Sequence, residues 1–304
     1  MLSSSKIQCP NNLLNLAKIK GPLNAGIISA GNDLAMKSAY EATKMSLIKP
    51  IFIGDKKEIE NVASIIKWDI SPYEIIDEKD NDNTALHGGK IASENKAQIL
   101  IKGNIHTDIL MRAMLKKDLN FIGSRRLSHL WHMTIKSNDK PLFITDGALN
   151  VAPRIEVKMH ILRNVVDFAS KVGIKKPKVA VLSGTEDPIE SLPSSIEAEK
   201  ITELARNENI PATVYGPLAF DNAVSLKAAE IKKIHNEVAG RADVILVPNL
   251  ETGNSLVKMM IYFMGACAAG IVVGGKVPVV VTSRADDEVS RLASIAAAIV
   301  ATNK

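Results

Sequence analysis

From about Gly26 onward, short apolar runs alternate with stretches of helical periodicity, and no other property of the chain narrows its fold as much. Gly26-Ile27-Ile28-Ser29-Ala30, Pro50-Ile51-Phe52-Ile53-Gly54, Tyr73-Glu74-Ile75-Ile76 and Ala97-Gln98-Ile99-Leu100-Ile101 read as strands, with helical patterns over 31–44, 56–67 and 84–95 between them. Asn32 or Asp33 is the expected N-cap of the first of these helices. The pattern resumes with a strand from Pro141 to Thr145, a helix from Pro153 to Val172, a strand from Lys178 to Leu182 and a helix from Glu197 to Arg206. Parallel strands cannot be joined by a tight turn and need a crossover, usually a helix. The alternation therefore predicts an α/β protein with mostly parallel sheets. At 304 residues the chain exceeds one ordinary domain, so two α/β domains are expected, with a boundary after Asp146.

Charge and composition remove several function classes. The net charge of +5 is small for this length, and no segment combines clustered basic residues with stacking aromatics, so nucleic acid is not an expected partner. A modest positive balance still suits a polyanionic small substrate such as a phosphate ester or coenzyme A. Cys9 lies in a polar arm and Cys267 in an apolar stretch; with no disulfide suggested, a reducing cytoplasm fits. The N-terminal segment lacks the continuous apolar core of a signal peptide. Met259 to Gly275 carries no charge, but it is short for a membrane span and diluted by glycines, so a helix followed by a buried strand is the better reading. His129 and His132 fall in Leu127–Ile135, which alternates like a strand. At odd separation they point to opposite faces and cannot share a metal, and the other histidines show no ligand spacing, so no metal site is expected.

The residues with the most chemical potential lie between Val244 and Asp287. Two apolar strand-like runs there close on polar loops, Pro248-Asn249-Leu250-Glu251-Thr252-Gly253-Asn254 and Thr282-Ser283-Arg284-Ala285-Asp286-Asp287. Ligands of open α/β sheets sit beyond the carboxyl ends of strands, so both loops are expected to face one cleft that handles an anion. Ser283 and Asp286 have the spacing of a capping box for a helix running to about Thr302, which by itself could account for both. It does not account for Arg284. An arginine in a first helical turn opposes the dipole, whereas beside helix-start N–H groups it clamps an anion. Arg112, in the helix opened by His106-Thr107-Asp108, is either a phosphate ligand near a helix start or a solvated charge. Asp221 is either a functional carboxylate or the N-cap of the helix after it. Ser183-Gly184-Thr185-Glu186 matches neither a dinucleotide-binding nor a Walker pattern.

The loop 248–254, the run Gly270-Ile271-Val272-Val273-Gly274-Gly275 and the segment Pro278 to Asp286 together resemble the consecutive signatures of the phosphate acetyl/butyryltransferase family. GIISAGNDLAMKSAYEA followed by PIFIGD resembles its first βαβ unit, and AQILIKGNIHTDILMR (97–112) its central strand and helix. TDGALNVAP (145–153) and YGPLAFDNAVS (215–225) resemble the butyryltransferase-like branch in particular. The resemblance covers nearly the whole chain from about Gly26. It implies two three-layer α/β domains resembling isocitrate and isopropylmalate dehydrogenases, here 1–146 completed by 286–304 and 147–285. It also implies an active site in the interdomain cleft and a homodimer associating through the second domain.

The activity implied is reversible transfer of an acetyl or short-chain acyl group between coenzyme A and inorganic phosphate. The expected partners are therefore acyl-CoA, phosphate and acyl phosphate, with no metal or cofactor and with coenzyme A as a substrate. On these residues Arg284 stabilises the charge that grows on the carbonyl and the departing phosphate. Ser283 and Thr282 hydrogen-bond the same groups, Arg112 matches a family arginine, and Gly253 and Asn254 contribute to substrate binding. The acetyl branch's catalytic aspartate resembles a position near Ser290 here, where serine cannot act as the base. Asp286 is the branch-consistent substitute, against a role confined to capping the helix. Asn249 stands where the family often has Asp, which weakens any carboxylate role there. Two rivals are a non-catalytic coenzyme A or acyl-phosphate binder and a metal-dependent hydroxyacid dehydrogenase on the same fold.

Overall fold

The computed structural model describes residues 2–135, 138–282 and 287–303, with 138 and 139 by backbone alone. The chain divides into an N-terminal unit, Ile7–Arg125 with Ala269–Lys304, and a central unit, Arg126–Ala268 with Met1–Lys6.

In the N-terminal unit the chain runs α1 (Asn11–Ile19), β1 (Leu23–Ile28), α2 (Asp33–Lys44), β2 (Ile48–Gly54), α3 (Lys56–Ile65), β3 (Glu74–Asp77), α4 (Asn81–Ser93), β4 (Ile99–Lys102) and α5 (Thr107–Met114). Capping sets the helix starts. Asn32 is the N-cap of α2, its Oδ1 accepting from Leu34 N at 3.0 Å and Ala35 N at 3.2 Å, while Asp55 caps α3 and Asp80 caps α4. Each such cap stabilises its helix by about 1 kcal/mol. Asp80 is also why α4 begins before the expected Thr84, which lies inside the first turn and donates its hydroxyl back to Asp80 O at 2.7 Å. Ile27, Ile28, Phe52 and Ile53 are fully buried, and side chains of this kind contribute about 1.5–3 kcal/mol each.

The central unit continues with β5 (Ser128–Ile135), β6 (Asn138–Thr145), α6 (Ile155–Lys171), β7 (Lys178–Leu182), α7 (Pro193–Asn207), β8 (Thr213–Leu218), α8 (Phe220–Val224), α9 (Leu226–Ile231), β9 (Val244–Leu246) and α10 (Leu250–Met264). β10 (Cys267–Val273), β11 (Val279–Val280) and α11 (Glu288–Ala301) follow. Strand order in the N-terminal unit is β3-β2-β1-β4-β11-β10, parallel except for β10 against β11; in the central unit it is β5-β6-β9-β7-β8, parallel except for the β5–β6 pair. The expected α/β class with mostly parallel sheets is what the structure has.

The units part at Arg125 and Ala269, where 146 and 286 had been expected. Pairing explains the difference: β6 lies beside β9, so the β5–β6 hairpin joins the central unit, and β11 lies beside β4, so it joins the N-terminal one. The uncharged stretch after Met259 is the end of α10, a left-handed cap at Gly265 (φ 64°) and the buried strand β10. Among the described residues no helix is long and apolar enough to cross a membrane.

His129 and His132 lie in a strand, as expected, and both are buried. The His129 ring lies tilted by 49° against Trp131 at 4.6 Å, while His132 meets Phe143 edge-on at 5.3 Å. Burial disfavours the charged ring and pushes the His132 pKa down to about 4. Among the described residues no group of three or more His, Cys, Asp or Glu side chains comes together to hold a metal.

Candidate functional site

In the N-terminal unit the chain steps outward from β1 through β2 to β3, then returns by α4 to β4 on the other flank of β1. The gap between β1 and β4 is thus a topological switch point, where parallel sheets open a crevice beyond their carboxyl ends. Register aligns Ile28 with Lys102 and Ile101 with Val280, so β1, β4 and β11 end side by side. Gly103 N donates to Ile28 O at 2.8 Å and Asn104 N to Ser29 O at 3.0 Å. A Cβ on Gly103 would lie 2.3 Å from Ser29 O, so only glycine allows this approach. Lys102 and Thr282 are both 6 % exposed.

Beyond Thr282, the residues expected to do the chemistry, Ser283, Arg284 and Asp286, lie outside the described residues. The helix they were expected to open begins later. Asp287 is extended (φ −70°, ψ 167°) and caps α11, accepting from Val289 N and Ser290 N at 2.9 Å each. The cap therefore belongs to Asp287 and not to a Ser283–Asp286 box, and the first helical turn starts at Glu288, past Arg284. An aspartate here both receives the exposed N–H groups and complements the dipole.

Arg112 sits in the last turn of the eight-residue α5, not near its start, and pairs with Asp108 at 3.0 Å. Both side chains are about two-thirds exposed, 65 % and 69 %, so the pair is worth well under 1 kcal/mol. In this conformation the solvated-charge reading describes Arg112.

In the central unit β6 and β9 end together, Thr145 opposite Leu246. The loop after β6 is built on Asp146, 2 % exposed, whose carboxylate accepts from His129 N at 2.9 Å, Ala148 N at 3.0 Å, Leu149 N at 2.9 Å and Asn150 Nδ2 at 2.7 Å. A buried carboxylate is tolerable when its acceptor sites are filled in this way. The loop after β9 leads into α10, capped by Asn249, whose Oδ1 accepts from Thr252 N at 2.9 Å and Thr252 Oγ1 at 2.8 Å. That cap needs only an oxygen acceptor, so asparagine serves where the family often has aspartate.

Gly253 and Asn254 are thereby set against the β6 loop. A Cβ on Gly253 would meet Gly147 Cα at 2.8 Å and Val247 Cγ2 at 3.0 Å, and Asn254 Nδ2 donates to Gly147 O at 3.3 Å. Leu250 N donates to Val151 O at 2.9 Å. On neighbouring loops, Glu186 pairs with Lys232 at 2.7 Å, and that hydrogen bond holds its carboxyl below the usual range. Asp221 does not cap a helix: it is an exposed residue in the first turn of α8, and Ser225 caps α9.

Sequence reasoning passed over two buried ionic residues at strand ends, Asp146 and Lys102. The available signal was the same in both: a charged residue directly closing an apolar run, Leu142-Phe143-Ile144-Thr145 in one case and Ile99-Leu100-Ile101 in the other.

A family model described as phosphate acetyl/butaryl transferase matches residues 78–300. The chain belongs to the phosphate acetyl/butaryl transferase family. It is 37 % identical over 289 residues to a phosphate acetyltransferase of Rhizobium meliloti, spanning 95 % of this chain and 92 % of that protein. It is 34 % identical over 296 residues to a phosphate butyryltransferase of Clostridium acetobutylicum, spanning 97 % and 98 %. Its fold matches the crystal structure of a branched-chain phosphotransacylase from Enterococcus faecalis with a TM-score of 0.81 and 30 % identity, over 92 % of this chain and 99 % of that one. No dinucleotide-binding pattern in the sequence competes with that membership.

Proposed function

We propose that this protein transfers an acetyl or other short acyl group reversibly between coenzyme A and inorganic phosphate. The observation that carries the reading is end-to-end identity of 34–37 % with both an acetyl- and a butyryltransferase. In the thioester-forming direction Asp286 takes the thiol proton of coenzyme A, and the thiolate attacks the carbonyl carbon of the acyl phosphate. A carbon–sulfur bond forms, the carbon–oxygen bond to the phosphoryl group breaks, and inorganic phosphate leaves. Arg284 faces the charge that grows on the carbonyl oxygen and the leaving phosphate. Ser283 and Thr282 hydrogen-bond those oxygens, while Gly253, Asn254 and Arg112 contribute to substrate binding. The assignment of Asp286 as base gains support from Asp287, which supplies the cap that would otherwise have occupied it. Coenzyme A enters as a substrate, and the reading includes no cofactor.

A cytoplasmic homodimer is part of the same proposal. Met259, Tyr262, Phe263 and Met264 of α10 are each nearly half exposed, an apolar face of the kind that a second copy covers. The test is acyl-phosphate-dependent thioester formation with coenzyme A across acyl chain lengths, with and without EDTA. Turnover unaffected by EDTA is expected; binding of coenzyme A without turnover at any chain length would overturn the activity.

A further inference from the structure

We propose that the outer edge of the N-terminal unit, strand β3 with the groove between it and α3, is a docking surface for an extended basic peptide segment of another protein. The segment pairs with the outer side of β3, sets an apolar side chain in the groove and carries lysine or arginine on either flank. None of the residues assigned to acyl transfer takes part, so the two readings stand or fall separately.

Among the described residues β3 is the outermost strand of its sheet, paired on one side with β2. A strand in a parallel pair turns only alternate N–H and C=O groups toward its neighbour, so the rest of the Glu74–Asp77 backbone faces outward. Beside this edge lies a groove of about 530 Å³. Lys56, Glu60 and Ser64 line it at the i, i+4, i+8 spacing of a single face of α3. The apolar part of the lining is Trp68 and Ile70, 7 % and 8 % exposed, with Ile75 of β3 half-buried. Trp68 is held among Tyr40, Phe52 and Tyr73, with ring centroids at 5.2, 5.4 and 5.9 Å. The groove is thus preformed, and a ligand entering it needs little reordering of the protein.

Charge selects the occupant. Residues 55–82, from the cap of α3 to the first turn of α4, hold nine carboxylates against four lysines, a net −5 in a chain whose total is +5. Glu60 and Asp69 line the groove itself, and Glu74 and Asp77 are exposed at the two ends of β3. A segment bearing basic residues is drawn to such a field. A second copy of β3 is not: antiparallel pairing of Glu74–Asp77 with itself sets Glu74 against Asp77, and like charges directly opposite are destabilising. A short edge with charged ends also resists aggregation, which by itself could account for the strand. It does not account for an aromatic-lined groove open alongside. Recognition of an extended peptide at a sheet edge uses both parts, the main chain for affinity and a side-chain pocket for specificity.

Fluorescence anisotropy with labelled acetyl-Lys-Lys-Val-Leu-Val-Lys-Lys-amide tests this, against one peptide with Glu for every Lys and another with Ser for Leu. The basic, Leu-centred peptide is expected to bind roughly tenfold or more tightly than either control, and to weaken as salt is raised. S64W fills the groove from an exposed position of α3, and E60K/E74K reverses two exposed charges. Each should weaken the basic peptide by about tenfold while leaving acyl transfer and melting temperature unchanged. Failure of the basic peptide to bind, equal affinity for all three peptides, or undiminished binding by S64W would overturn the proposal. Should S64W not fold, unchanged affinity in E60K/E74K overturns it instead. A change in the protein's own oligomeric state in E60K/E74K, read by size-exclusion chromatography, would assign the edge to a second copy and overturn it too.

Discussion

Ser290 donates its hydroxyl to Asp287 Oδ2 at 3.0 Å, while Oδ1 of the same carboxylate takes the backbone N–H groups of Val289 and Ser290. The residue standing near the acetyl branch's catalytic aspartate is thus a serine that braces a helix cap. Among the described residues the cap of α11 is assigned to Asp287, and its neighbour Asp286 is the proposed base.

The two aspartates should separate by experiment. D287A removes a cap and is expected to lower stability by about 1 kcal/mol in chemical denaturation. D286N should leave stability unchanged and cut kcat by roughly two orders of magnitude or more, the usual contribution of a general base. Near-native turnover in D286N would sink its role.

For Arg284, substitution by Gln removes the charge while keeping a hydrogen-bonding side chain. A loss of about 10²–10³ in kcat/KM for acyl transfer is expected, the scale found when a preorganised charge stabiliser is deleted. A rate within a fewfold of wild type would refute the clamp.

Asp146 should behave as a structural residue of the β6 loop. D146N replaces an acceptor-only group by one that is half donor, facing the Asn150 amide and the His129 N–H. A buried donor left without its partner costs roughly 1–3 kcal/mol, and the melting temperature should fall accordingly. Unchanged stability would show that the loop does not depend on this carboxylate.

His132 gives stability a defined pH dependence. Its folded pKa of about 4 lies below the ordinary value of 6.5, so between these values the unfolded chain binds the extra proton. Stability is therefore full above about 6.5 and declines as pH falls toward 4, by about 3 kcal/mol in total. H132L should lose this part of the decline, as read by comparing denaturation midpoints of the two proteins at pH 7 and pH 5. Parallel pH profiles would contradict it.

Much of the fold could be read from period and punctuation. The strand at 128–135, the Asn32 cap and the helix-then-strand division after Met259 all follow from local rules. What local pattern could not supply was pairing: nothing in residues 138–145 says that β6 lies beside a strand a hundred residues later, and the unit boundary depends on that contact. Capping misled at two places for a related reason. Ser283 and Asp286 have the right spacing, yet Asp287 takes the cap; Asp221 precedes an apolar run, yet lies inside a short helix whose successor is capped by Ser225. Asp146 and Lys102 are visible in the sequence as charges closing apolar runs, but their burial comes from pairing and packing, which a single strand end does not display.

The contact between Gly253 and Gly147 has a consequence for how this family member can change. Main chain lies against main chain there, with no side chain on either partner. Substitution can only force such a seam apart; it cannot reshape it by degrees. The start of α10 and the loop after β6 are thus one casting: neither can move without the other.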